Sequence, residues 1–91
     1  MILNYKGKPF VRKDKDICYG DVNDKYVLVL TVLEAKEERG ISVATRVRVQ
    51  LQSTDDSLSA NERIIKFTER PSLFEAFDVG EVWLERSLAA N

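Results

Sequence analysis

"ISVATRVRVQLQS", residues 41–53, alternates apolar and polar side chains along almost its whole length. Ile41, Val43, Thr45, Val47, Val49 and Leu51 form one row; Ser42, Ala44, Arg46, Arg48, Gln50 and Gln52 form the other. Successive side chains of a strand leave on opposite faces, so this period of two predicts an amphipathic β-strand. Its apolar row faces a core. Its Arg-Gln row faces water, a second copy of the chain, or a ligand such as a phosphate backbone.

The segment before it behaves differently. "KYVLVLTVLEAKE" (25–37) is apolar on both parities: Tyr26, Leu28, Leu30 and Val32 on one, Val27, Val29, Thr31 and Leu33 on the other. A strand apolar on both faces must be covered on both, which marks it as central. "KEERG" (36–40) is a charged turn with Gly40 available for positive φ, so the two segments form a long antiparallel hairpin. Arms this long predict strong twist, a bulge, or both.

Two shorter strands precede the hairpin, at 10–13 and 16–19, around a tight turn at Asp14 and Lys15. The turn formers of residues 20–24 make a loop, and residues 54–62 a second polar loop with room for one helical turn. Residues 62–69 read as a fifth strand, ended by Pro71.

Beyond Pro71 the period becomes helical. Ser72 is suited to an N-cap, with Glu75 three residues later as the other half of a capping box. Leu73, Ala76, Phe77, Gly80, Trp83, Leu84 and Leu88 share one arc, while Glu75, Asp78, Glu81 and Glu85 lie mainly opposite. The spacing predicts a helix over residues 73–89. Gly80 is expected where helix and sheet cross, and Trp83 is expected to lie across the apolar row of 41–53. The expected fold is α+β: an antiparallel meander of about five strands, curled towards a partly open barrel, with one C-terminal amphipathic helix on its apolar face. This order of elements is similar to that of small archaeal chromatin proteins with an SH3-like barrel. No residue motif maps across, those proteins are strongly basic, and no family is recognised.

Chemistry is scarce. The 91 residues, expected to form one domain, contain no histidine and one cysteine, Cys18. That removes His-based general bases and nucleophile pairs, and leaves too few ligands for a zinc site. Asp14, Asp16, Asp21 and Asp24 fail the EF-hand pattern, since Tyr19 and Lys25 stand where it needs Gly and Glu. Gly7, Gly20, Gly40 and Gly80 are scattered and form no phosphate loop. No enzyme, cofactor, metal or membrane role is expected. A single thiol and the lack of a secretory h-region point to the cytoplasm. Cys18 itself reads as a small buried hydrophobe.

Net charge is −1, unevenly spread: residues 1–50 carry ten Lys/Arg and seven Asp/Glu, residues 51–91 four and eight. Such a split invites contact between the halves, within one chain or between two. The expected function is a non-catalytic protein-interaction module that self-associates as a homodimer. Its self-association surface is Tyr26, Leu28, Leu30 and Val32, or their odd-numbered neighbours, whichever the helix leaves bare. The second reading is a nucleic-acid-binding module using Arg46, Arg48, Gln50, Gln52 and Lys66, with Tyr5, Lys6, Lys8, Phe10, Arg12, Lys13 and Lys15 nearby. A sequence pI near 5.4 argues against it.

Overall fold

The computed structural model describes residues 2–90. Six strands run β1 (Ile2–Tyr5), β2 (Lys8–Lys13), β3 (Asp16–Tyr19), β4 (Tyr26–Glu38), β5 (Ile41–Ser53) and β6 (Ile64–Arg70). The one-turn helix α1 (Ala60–Arg63) precedes β6, and α2 (Leu73–Ala89) follows it. Every strand pairs antiparallel with its sequence neighbour, in the order β1-β2-β3-β4-β5-β6. The sheet is a meander with two edges and does not close.

The strand beyond the expected five is β1. It is joined to β2 by Lys6 and Gly7, both at positive φ (50° and 78°), as a tight two-residue hairpin turn requires. Arg39 and Gly40 repeat this geometry between β4 and β5, with φ of 52° and 79°. At Gly7 and Gly40 the missing Cβ serves the second position of these turns.

The core is one layer between the sheet and α2. Ile17 and Tyr19 of β3, Leu28 and Leu30 of β4, and Val47, Val49 and Leu51 of β5 are buried beneath Ala76 and Leu84. Helix α2 occupies the span its periodicity predicts, and the Ser72 hydroxyl accepts from the Glu75 N–H at 3.1 Å. The reciprocal half of that capping box is not made: the Ser72 hydroxyl donates to the Glu75 carboxylate instead. A complete box sits one element earlier, where Ser59 and Glu62 cap α1 from both sides.

Gly80 lies where the sequence puts it. It is buried, and a Cβ at this position would stand 2.6 Å from both methyls of Leu28, itself fully buried. Trp83 is half-buried and packs against the core as a flank rather than its centre. Tyr5, Phe10, Tyr19 and Phe77 make a cluster of edge-to-face and tilted ring contacts with centroids 5.1–5.9 Å apart, tying β1 and β2 to α2. The Tyr19 hydroxyl donates to the Tyr5 carbonyl at 2.9 Å.

The long hairpin departs from simple alternation. Val32 opposes Val47, Glu34 opposes Arg46, and Ala35 opposes Ala44, so Leu33 and then Thr45 are each one residue extra. Ala44 consequently joins the core side, and Ile41 and Val43, expected in the core row, are 66% and 42% exposed. The 13-residue arms would extend about 43 Å, against about 25 Å for the 17-residue helix. Residues 34–43 are exposed, a two-stranded arm beyond the covered part of the sheet.

Candidate interaction surface

The face of the sheet opposite α2 follows from parity. In β3, Ile17 and Tyr19 are buried, so Asp16 and Cys18 point away from the helix. In β4 the helix-free row is Val27, Val29 and Thr31; in β5 it is Arg46, Arg48, Gln50 and Gln52. The register then aligns these residues across the sheet. One rank reads Val11, Cys18, Val29, Gln50, Phe67 from β2 to β6. The next reads Lys13, Asp16, Thr31, Arg48, Glu69. A shorter third rank holds Val27, Gln52 and Ile64.

Strand β6 decides the character of this face. Lys66 opposes Leu51 and Thr68 opposes Val49, so Lys66, Thr68 and Arg70 stand on the helix side. Phe67 opposes Gln50 on the helix-free side and is 68% exposed. Beside it, Ile65 falls in a register shift and is 48% exposed. The strand turns its aromatic away from α2.

The expected basic row is therefore split. Arg46, Arg48, Gln50 and Gln52 do share the helix-free face, but Lys66 does not. Its ammonium sits 5.2 Å from the centroid of the Trp83 ring, a cation–π contact on the other side of the sheet. The self-association row divides in the same way. Leu28 and Leu30 are buried under α2, with Tyr26 packed beside them and Val32 opposite buried Val47. That row cannot meet a partner while α2 is in place. The odd-numbered neighbours Val27, Val29 and Thr31 remain, half-buried only by their own sheet.

Electrostatics further reduce the basic character. Arg46 lies 3.7 Å from Glu34 and 3.6 Å from Glu69. Lys6 pairs with Glu81 and Glu85 of α2, and Lys8 with Asp24. The Glu81 side chain is only 12% exposed, and Lys6 supplies the partner for its buried Oε1. That hydrogen bond pushes the Lys6 ammonium above its ordinary value. The contact between halves that the charge split suggests thus exists within one chain, at the β1–β2 turn.

Cys18 is exposed, not buried as its residue type suggests. Desolvation by its neighbours and the charge of Asp16 raise its pKa, so the thiol is protonated near neutrality and a poor nucleophile. Asp16 accepts the Thr31 hydroxyl at 2.8 Å. Among the described residues, Arg48 and Lys13 have no ion-pair partner, and no group of His, Cys, Asp and Glu is arranged to hold a metal. No helix among them is long and apolar enough to cross a membrane.

Sequence reasoning missed Phe67, Val11 and Asp16 as members of this face. Parity in "IIKFTER" separates Phe67 from Lys66, but only the register with β5 tells which of the two faces outward. Comparison with protein-family models, curated proteins and solved structures finds no match.

Proposed function

We propose that this protein is a non-catalytic protein-interaction module that self-associates through the helix-free face of its sheet, in a reducing compartment such as the cytoplasm. The observation that carries this reading is the outward turn of Phe67, in rank with Val11, Cys18 and Val29, on a face that no element of the chain covers. A largely apolar rank, broken only by Gln50 and rimmed by charge, is the ordinary composition of a protein interface. Light scattering from low to high micromolar concentration tests it: the mass rises towards twice that of one chain, and Phe67→Asp abolishes the rise without changing the circular dichroism. A strict monomer throughout that range removes the self-association.

The second reading is a single-stranded nucleic acid lying on the same face. One observation favours it: exposed Phe67 borders a shallow hollow shared with Arg48, Gln50 and Ile64, a base-stacking position beside a cation. Loss of Lys66 to the other face, and the carboxylates of Asp16 and Glu69 within the charged rank, place it second. Fluorescence anisotropy with labelled DNA and RNA at low salt separates the two, since phosphate-driven binding must appear there and fall steeply as salt is added.

A further inference from the structure

The charged rank on the helix-free face is self-complementary. From β2 to β6 its signs run plus, minus, neutral, plus, minus: Lys13, Asp16, Thr31, Arg48, Glu69. Reversed, the same rank runs minus, plus, neutral, minus, plus. Each charge therefore meets its opposite when the rank is laid against a reversed copy of itself.

We propose that the occupant of this face is a second copy of the chain, packed sheet to sheet about a two-fold axis that runs along β4. This rests on the self-association reading above and adds the partner's orientation and the residues that set it. Rotation about an axis parallel to the strands keeps each rank level and reverses its order across the sheet. With the axis over Thr31, Asp16 of each copy faces Arg48 of the other, and Lys13 faces Glu69. Val29 meets its own counterpart, and Val11 lies against Phe67. Arg48 and Lys13, which lack ion-pair partners among the described residues, acquire them. The interface is isologous, so each pair occurs twice.

The other in-plane axis does worse. A two-fold across the strands, placed on the charged rank, sets Lys13 against Lys13 and Arg48 against Arg48. Moved to the Val29 rank, it lays the charged rank on the rank of Val27 and Ile64 and strips water from charges that gain nothing in return. Only the axis along β4 satisfies the charged and the apolar ranks together. Stacked sheets sit about 10 Å apart, a gap that opposed Arg and Asp side chains can bridge. The five strands that overlap about this axis, β2 to β6, at about 4.8 Å spacing and over a covered length of about 20 Å, give a footprint of roughly 500 Å² per copy. The total of roughly 1,000 Å² lies at the lower end for specific interfaces and fits a micromolar dimer.

Charge exchange tests the orientation. Arg48→Glu and Asp16→Arg each place two like-charged pairs in their own homodimer, and each alone should dimerise at least about tenfold more weakly than the wild type. Mixed in equal amounts, they form a heterodimer in which one Asp16–Arg48 pair is native and the other has its signs exchanged, so the mixture should regain wild-type mass in sedimentation. Lys13→Glu and Glu69→Lys give an independent exchange at the rim if either central variant fails to fold. A wild-type dimer whose strength neither exchange alters overturns the two-fold while leaving self-association intact. A monomeric wild type overturns both, and salt-sensitive binding of labelled DNA or RNA to such a monomer assigns the face to nucleic acid instead.

Discussion

The two faces of this sheet solve the same problem differently. On the α2 side, β3, β4 and β5 contribute Ile17, Tyr19, Leu28, Leu30, Val47, Val49 and Leu51 to a layer the helix closes completely. On the other side, Val11, Cys18, Val27, Val29 and Phe67 stand in ranks interrupted by Gln50 and Gln52, and no helix of the described residues lies over them as α2 does over the first. The first face stabilises the chain; the second is free to act on something else. A substitution should therefore change stability or association, seldom both.

The largest effect is expected where the covered face is tightest. Leu84→Ala removes a fully buried side chain from the core layer and should cost about 2–5 kcal/mol, read by chemical denaturation. Trp83→Ala follows at about 2–3 kcal/mol, less than for a fully buried aromatic because the ring is a half-buried flank. If Trp83→Ala changed self-association and not the melting temperature, the division between the faces would fail.

Gly80→Ala sharpens the comparison because two terms oppose. Alanine in place of glycine favours a helix by about 1 kcal/mol, whereas overpacking a filled core costs about 1–3 kcal/mol. The added methyl would meet Leu28, which is walled in, so a lower melting temperature is expected despite the better helix former. Phe67→Ser should shift stability by no more than about 0.5 kcal/mol while weakening association, since the ring leaves little of itself in the monomer's core.

A pH titration probes the covered side through Tyr19 and Lys6. Burial raises the Tyr19 phenol above its ordinary value of 10.0, and the hydrogen bond it donates to Glu81 raises the Lys6 ammonium above 10.5. A folded state that holds protons more tightly than the unfolded one keeps its full contribution below the unfolded pKa. That contribution is lost as pH rises through the folded one. Thermal stability from these two groups should be level near neutrality and fall above about pH 10. Lys6→Met and Tyr19→Phe together should flatten that fall.

How much of this the sequence discloses depends on which physical rule was in force. Period alone identifies α2, the core row of Val47, Val49 and Leu51, and the crossing at Gly80, because each rests on residues close in sequence. The row of Ile41 and Val43 escapes that rule, since the extra residues Leu33 and Thr45 reset parity midway along the hairpin. Lys66 escapes it too: either parity of β6 is compatible with its neighbours, and only pairing with Leu51 settles the matter. The ranks of the helix-free face are products of register, a relation between five strands that no single segment contains. Cys18 shows the same limit, since residue type says buried and the position in β3 says outward.

The strictly sequential strand order also bears on how the chain reaches this structure. Each strand finds its partner next along the chain, and three of the five connections are two-residue turns. Closing short loops is entropically cheap, so the sheet can zip from any hairpin without a distant encounter. The expensive step is the return of α2 across β5 and β4 to reach Tyr19 and Tyr5, the longest closure in the fold. Until it happens both faces of the sheet are bare. The helix is then what distinguishes the side that folds the molecule from the side that meets another, and a slow docking of α2 would leave the sheet open to pairing on the wrong face.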